Sequence, residues 1–215
     1  MKILMTKNSK YTIYQVDKQY LYNIARFVVK INYLHYFENI NTNLQIEQEI
    51  EHIFQEELLY SGLYKIYVAE DTAGEMIGCI RIMQWNRMDK LPMQKIFVIN
   101  PLDSIENAED TTFWHVGRFA IDSSTGISTV SLFKQLMIYA IYPIYQEVNG
   151  YMIAECDRRL LRTVNLLGIK TVALGKSVNY LGSETVPIYA DKKGLSVFYQ
   201  NYSGLVSCPE SFEIE

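Results

Sequence analysis

Residues 113–122 read FWHVGRFAID, an apolar strand pattern that carries a histidine, His115, and an arginine, Arg118, near its centre. Charged side chains are seldom buried unless they are paired or take part in chemistry. The next residues, Ser123 to Gly126, form a turn-rich break before apolar residues that recur at helical spacing. A strand that ends in small residues at the start of a helix can hold a phosphate or thioester oxygen.

The composition around this strand is that of a globular protein. The 215 residues are 49% hydrophobic and 13% aromatic, which is enough for one packed domain spanning 1–215. The net charge is −4, and no run of lysine or arginine marks a nucleic-acid surface. No stretch reaches the ~18 apolar residues of a membrane span, and Met1 to Lys10 lacks the apolar run of a signal peptide. We therefore expect a cytoplasmic protein without nucleic-acid partners.

The three cysteines, Cys79, Cys156 and Cys208, are widely separated. Their spacing matches neither a zinc motif nor a disulfide framework. We expect free thiols or small apolar side chains, and no metal site.

The hydrophobic pattern predicts an α/β (α+β) domain with a mixed sheet. The acidic residues of its second helix are most simply read as a solvated face. Residues 86–112 are interpreted as a long, partly ordered connection. The predicted elements are strand 11–16, helices after Asp17 and from 43 to 59, hairpin 64–70 and 76–85, strand 113–122, a helix through 130–140, strand 151–156, a helix from Asp157 to Gly168, and closing strands 170–174, 184–190 and 195–199.

Four segments stand out by their order and spacing: 77–82 (IGCIRI), 114–122 (WHVGRFAID), 132–136 (LFKQL), and 157–168 with LG at 174–175. Together they resemble the GNAT acyltransferase superfamily over most of the chain. Within it, they resemble the branch of acyl-homoserine-lactone synthases and N-acyl amino acid synthases. The resemblance implies one GNAT-like domain with a central, mostly antiparallel sheet flanked by helices, in which the N-terminal helices of residues 17–60 form part of the acceptor site.

The family's central strand reads Glu-x-Ser-Arg-Phe, which aligns here with His115, Gly117, Arg118 and Phe119. The resemblance thus implies catalytic roles for His115, Gly117 and Arg118. Histidine replaces the acid that would orient or deprotonate the amine, and histidine is itself a base near neutral pH. A glycine inside a strand also predicts a bulge, which would let His115 and Arg118 converge.

Each of these residues has a structural alternative. His115 could be a hydrogen-bonded core histidine, Gly117 could make room for a bulky neighbour, and Arg118 could pair with Glu155 or Asp157. Arg81 could be solvated, or it could bind a substrate carboxylate as a bidentate fork.

Further residues are assigned to substrates by the resemblance. Arg81, Phe119, Trp114 and Arg26 are expected to bind substrate, although the tryptophan that the family carries after the position of Arg26 is absent. Residues of the turn are expected to contact the donor's phosphate-containing carrier, although this turn has one glycine where the family has several. They are Ser123, Ser124, Thr125 and Gly126.

The sequence therefore predicts an N-acyltransferase that needs no metal. It would move a medium or long acyl chain from an acyl-CoA or acyl carrier protein thioester to the amine of an amino acid or related small molecule. An acidic carrier protein could dock on Arg158, Arg159 and Arg162, although these also fit a solvated helix face. The alternatives are an acetyl-CoA-dependent N-acetyltransferase, and a catalytically silent GNAT fold that binds an acyl ligand or a protein.

Overall fold

The computed structural model describes residues 1–36, 43–180 and 183–206. Its strands are β1 (Lys2–Lys7), β2 (Tyr11–Val16), β3 (Tyr64–Asp71), β4 (Met76–Gln84), β5 (Thr112–Ile121), β6 (Gly150–Asp157), β7 (Val172–Ala173), β8 (Val178–Tyr180) and β9 (Ser183–Ala190). Its α-helices are α1 (Leu21–Tyr36), α2 (Asn43–Leu58), α3 (Pro92–Ile96), α4 (Pro101–Ser104), α5 (Thr129–Gln146), α6 (Arg158–Leu166) and α7 (Lys192–Tyr202).

The strands form one sheet in the order β1-β2-β3-β4-β5-β6-β9-β7, with β8 paired to β9. All these neighbours are antiparallel except β5 and β6, which run parallel. Helices α5 and α7 cover one face, where Leu136, Ile141 and Phe198 are fully buried. Helix α1 covers part of the other face, against Ile66 and Val68 of β3. The prediction of a mixed, mostly antiparallel sheet flanked by helices is confirmed.

The parallel pair β5–β6 separates halfway along its length. The ladder begins at Thr112 opposite Gly150 and ends at His115 opposite Ile153. Both strands continue beyond that pair, β5 to Ile121 and β6 to Asp157, and no further ladder joins them within the described residues. A gap therefore opens in the middle of the sheet, immediately after His115.

One local prediction is wrong. Residues 195–199 belong to helix α7 rather than to a strand, because Leu195, Phe198 and Tyr202 follow helical spacing and Asp191 accepts a hydrogen bond from the Gly194 N–H at 2.7 Å.

Residues 86–112 form the long connection between β4 and β5, and short helices order part of it. Arg87 also orders it, because its guanidinium donates to the carbonyls of Ala108, Glu109 and Thr111.

No helix within residues 1–36, 43–180 and 183–206 combines the length and the apolar character needed to cross a bilayer.

Candidate active site

His115 lies at the point where β5 and β6 part, and it is 1% exposed. Its Nδ1 is 2.7 Å from Nη1 of Arg81, and its Nε2 is 2.8 Å from Oε2 of Glu155. Because a guanidinium can only donate, Nδ1 accepts, so the ring carries its proton on Nε2 and donates it to Glu155. Both ring nitrogens of His115 are therefore engaged with protein groups.

Arg81 lies on β4 and is buried to the same degree as His115. Its Nε and Nη2 each donate at 3.1 Å to the carboxylate of Glu57, and its Nη1 also donates to the backbone carbonyl of His115 at 3.0 Å. The rings of Tyr60 and Tyr64 lie 5.6 and 5.7 Å from its guanidinium carbon. The bidentate fork of Arg81 is thus occupied by Glu57, and a substrate carboxylate could not use it without displacing that pair.

Arg118 sits in a β-bulge of β5. The β4–β5 ladder steps from Cys79 opposite Ala120 to Arg81 opposite Gly117, so two residues of β5, Arg118 and Phe119, face one residue of β4. Arg118 has a left-handed backbone with φ of 51°. The bulge predicted from Gly117 is present, and the left-handed residue within it is the arginine.

The bulge directs Arg118 towards helix α2. Its Nε donates to Oε1 of Glu57 at 2.7 Å, and its Nη2 forms an ion pair with Glu56. The predicted alternative, an ion pair with Glu155 or Asp157, is wrong, since the partners come from α2. His115 and Arg118 are therefore linked indirectly, through Arg81 and Glu57.

Glu57 is the hub of this buried network, and it is 2% exposed. Burial alone would raise the pKa of the Glu57 carboxyl, but Arg81 and Arg118 overcome that effect and lower the pKa to about 2. The hydroxyl of Tyr64 also donates to Glu57. Glu56, which accepts from Nζ of Lys95 at 2.9 Å, likewise has a lowered pKa: burial opposes the shift, and Arg118 and Lys95 cause it. The reading of Glu56 and Glu57 as part of a solvated face is wrong.

Gly117 allows the network to assemble. A Cβ atom at this position would lie 2.8 Å from Nη2 of Arg81 and 3.4 Å from Cε1 of His115. Any side chain would therefore push the Arg81 guanidinium away from Glu57. The bulge and the close packing, proposed as alternatives for Gly117, occur together.

A cavity of about 160 Å³ occupies the gap between β5 and β6. Its apolar wall comprises side chains of β6, α5, α6 and β9, and its polar wall contains His115, Arg118 and Glu155. Phe119 also lines it and packs edge-to-face on Phe133 with ring centroids 5.0 Å apart. Helix α1 contributes Val28. The apolar residues of β6, α5, α6 and β9 in this lining include Met137, Met152, Ala154, Val164 and Ile188.

Glu155 carries the one cavity-lining carboxylate oxygen that is buried and lacks a hydrogen-bond partner among the described residues. Its Oε2 accepts from His115, whereas Oε1 has no partner. The side chain is 10% exposed. This oxygen is an acceptor available to a ligand.

Trp114 and Arg26, both predicted to bind substrate, do not line this cavity. The indole of Trp114 is buried in the core on the α5 side of the sheet. Arg26 is exposed on α1. The structure therefore separates these two from His115, Gly117, Arg118, Phe119 and Arg81, all of which line the cavity.

The turn of Ser123 to Gly126 lies outside the lining of this cavity and is braced by Asp122. The Asp122 carboxylate accepts from the Ser124 N–H at 2.8 Å and from its hydroxyl at 2.6 Å. Gly126 has a left-handed φ of 69°, which ends the turn before Ser128 caps α5. Phosphate bound here would have to share the Ser124 N–H with this carboxylate.

No group of three or more His, Cys, Asp or Glu side chains within 1–36, 43–180 and 183–206 is placed to hold a metal ion.

Comparison with known proteins gives matches by structure. No protein-family model matches the chain, and no curated protein sequence matches it. The structure of the acyl-homoserine-lactone synthase LasI is similar over 90% of this chain and 96% of its own, with 12% identity and a TM-score of 0.59. FeeM, an N-acyl amino acid synthase from uncultured soil microbes, is similar over 84% and 89%, with 15% identity and a TM-score of 0.54. The CoA-dependent acyl-homoserine-lactone synthase BjaI is similar over 90% and 90%, with 14% identity and a TM-score of 0.56.

The chain has the fold of these synthases. In these three comparisons the match covers between 84% and 96% of each chain. The GNAT-like architecture expected from the four sequence segments is confirmed.

The sequence did not predict that Glu56, Glu57 and Glu155 belong to the site. Glu155 was considered only as a structural partner of Arg118. Glu57 had a usable signal, because it lies four residues after Ile53 and seven after Ile50, on the buried stripe of α2. Glu155 had no such signal in the sequence, because the residue that it contacts depends on the register of β5 against β6.

Proposed function

We propose that this protein is an N-acyltransferase that moves an acyl group from a thioester to the amine of a small molecule. The observation that carries the proposal is the cavity between the parted strands β5 and β6, which is lined both by apolar side chains and by His115, Glu155 and Arg118. Such a site can hold an apolar chain and a reacting polar group side by side. The shared fold with acyl-transferring synthases supports the same reading.

The acyl chain would lie along the apolar wall formed by Met137, Met152 and Val164. This wall favours a medium or long chain over an acetyl group. The carrier of the donor is CoA or an acyl carrier protein, and BjaI is a CoA-dependent synthase with this fold. The Ser123–Gly126 turn, near the start of α5, remains our candidate contact for the carrier's phosphate.

The bulge would stabilise the reaction's oxyanion. The β4 ladder skips Arg118 and Phe119, so their backbone N–H groups are the candidates to donate to the thioester oxygen as charge develops on it. The ion pairs of Arg118 with Glu56 and Glu57 would hold the bulge in place. A preorganised donor of this kind lowers the barrier without reorganisation during the reaction.

Transfer would be direct, without a covalent enzyme intermediate. Cys156 is the cysteine in the cavity lining. Burial raises the pKa of its thiol, and Asp157 and Glu155 raise it further. Such a thiol stays protonated and is a poor nucleophile at neutral pH.

A second candidate function is an acyl-ligand-binding module without catalysis. The observation in its favour is that both ring nitrogens of His115 are engaged, so His115 has no free lone pair with which to act as a base. An acetyl-CoA-dependent acetyltransferase is supported less, because the turn has one glycine and Asp122 occupies the Ser124 N–H.

The test is amine-dependent release of thiol by the purified protein. The substrates are thioesters from acetyl to hexadecanoyl, on CoA and on acyl carrier protein, each with and without a panel of primary amines. We expect release with a medium or long chain when amine is present. Release without amine would indicate hydrolysis, and binding without release would favour the binding module.

A matched pair of variants locates the activity. Ala154→Phe places a ring in the cavity, whereas Ala173→Phe places the same ring on the exposed strand β7. We expect Ala154→Phe to lose most of the activity and Ala173→Phe to keep it, with circular dichroism confirming that both fold. Full activity of a folded Ala154→Phe variant would place the reaction outside this cavity.

A further inference from the structure

Three buried side-chain polar atoms have no hydrogen-bond partner within the described residues: Oε1 of Glu155, the hydroxyl of Tyr60 and Nε1 of Trp114. Of these three side chains, only that of Glu155 lines the cavity between β5 and β6. An unsatisfied carboxylate oxygen in such a place costs free energy, because its hydration is lost and no hydrogen bond replaces it. A ligand that supplies a donor would remove that cost.

The other oxygen of this carboxylate is fixed by the protein. Oε2 accepts from Nε2 of His115 at 2.8 Å, and His115 is in turn held by Nη1 of Arg81 at 2.7 Å. Oε2 is therefore committed to His115, and the Nδ1 lone pair of His115 is committed to Arg81. Oε1 is the oxygen of this cavity-lining side chain that has no partner within the described residues.

We infer that Glu155 is the residue that binds the ammonium group of the acceptor and takes its proton, and that His115 is a positioning residue. The inference rests on the proposed N-acyltransferase function and assigns its base. The carboxylate that acyltransferases of this type are expected to carry at the position of His115 is supplied here from the neighbouring strand, β6.

The reaction balances with this assignment. The substrate ammonium transfers one proton to Glu155, and the neutral amine nitrogen attacks the thioester carbonyl carbon. The C–N bond forms, the C–S bond breaks, and the second proton lost by nitrogen goes to the departing thiolate. Glu155 then releases its proton to solvent, so the products are an amide, a thiol and one proton.

The same contacts define the class of acceptor. The forks of Arg81 and Arg118 face Glu57 and Glu56, so the arginines of the cavity wall are already paired with carboxylates. The buried lining atom without a partner within the described residues is a carboxylate oxygen, which suits a cation. The acceptor is therefore assigned to primary amines in their ammonium form, because both arginines of the described lining already pair with carboxylates.

The test compares Glu155→Gln, Glu155→Asp and, as a control, Glu75→Gln in the exposed β3–β4 hairpin turn. The probes are octanoyl-CoA with n-butylamine, and the most active pair from the thioester and amine panel. We expect Glu155→Gln to lower kcat/KM for the amine about 100-fold or more, as loss of a general base does. The Kd for octanoyl-CoA should stay within about twofold, because the proposed acyl-chain contacts are with apolar lining residues and not with Glu155.

The other outcomes distinguish a catalytic role of Glu155 from a structural role, and both from failure of the proposed function. Glu155→Asp keeps a carboxylate and should retain more activity than Glu155→Gln, whereas equal losses would assign Glu155 a structural role and overturn the inference. An active wild type with an equally active, folded Glu155→Gln variant would also overturn it and leave the transferase intact. A wild type inactive on every pair would overturn the proposed function itself.

Discussion

Arg81 and Gly117 face each other across β4 and β5, and the absence of a side chain on Gly117 gives the Arg81 guanidinium the space it occupies. A Cβ on Gly117 would come within 2.8 Å of Nη2 of Arg81. The pairing of Arg81 with Glu57, and through it the position of Arg118, therefore depends on a glycine. The substitution Gly117→Ala, which adds one methyl group, tests this dependence.

Gly117→Ala should destabilise the protein by about 1–3 kcal/mol, because the new methyl displaces the guanidinium from a packed, buried ion pair. The free energy of unfolding in urea measures the effect. Gly204→Ala is the control, since a Cβ there meets no atom within 4 Å. Equal stability of Gly117→Ala and the wild type would show that the network adapts and that the close approach is not restrictive.

Glu57→Gln should be more damaging, since it removes the carboxylate that pairs with both Arg81 and Arg118 and leaves Arg118 with Glu56. Removing one partner of a buried ion pair costs about 3–5 kcal/mol. Glu47→Gln on the exposed side of the same helix is the control and should change stability little. Thermal and urea unfolding of the three proteins would show the difference, and similar midpoints for both variants would contradict a central role for Glu57.

The stability of the wild type should fall in acid because of Glu57. Its pKa is about 2 in the folded protein against an ordinary value of 4.5, so its contribution is complete above about pH 4.5 and is lost as the pH falls from there towards 2. The two values correspond to about 3 kcal/mol. Urea unfolding from pH 6 to pH 2.5 should show a steeper decline in the wild type than in Glu57→Gln, and parallel curves would contradict the assignment.

Structural features that depend on nearby residues could be predicted from the sequence, whereas contacts between residues far apart in the chain could not. The FWHVGRFAID strand, its bulge and the α5 pattern are local features, and they are predictable from spacing and from Gly117. The partners of Arg118 were not predictable, because Glu56 and Glu57 lie 62 and 61 residues away in the sequence. They contact Arg118 only after α2 packs beside the sheet. The helix at 195–199 was misread although Asp191 and the spacing of Leu195, Phe198 and Tyr202 marked it.

The candidate site divides in the same way. His115, Arg118 and Gly117 were identified because they interrupt an apolar strand, whereas Glu155 became informative only once the register placed it beside His115. Trp114 shares that strand but points to the opposite face, since side chains alternate.

His115→Ala should lower kcat by about 10- to 100-fold while leaving the Kd for the acyl thioester unchanged, because Glu155 and Arg81 lose the group that aligns them. The rate with saturating amine measures the loss. Free imidazole, added to fill the vacated space, should restore part of the rate if His115 positions Glu155. A folded His115→Ala variant with the wild-type rate would show that His115 does not position Glu155 for the reaction.

The measurement that tests the central claim most directly is mass spectrometry of the products formed by the purified wild type from a mixture of acyl thioesters and primary amines. We expect an N-acyl amide that appears only when both substrates are present, in a one-to-one ratio with the released thiol. If no thioester and amine pair yields an amide, or if thiol is released without amine, the assignment as an N-acyltransferase is wrong.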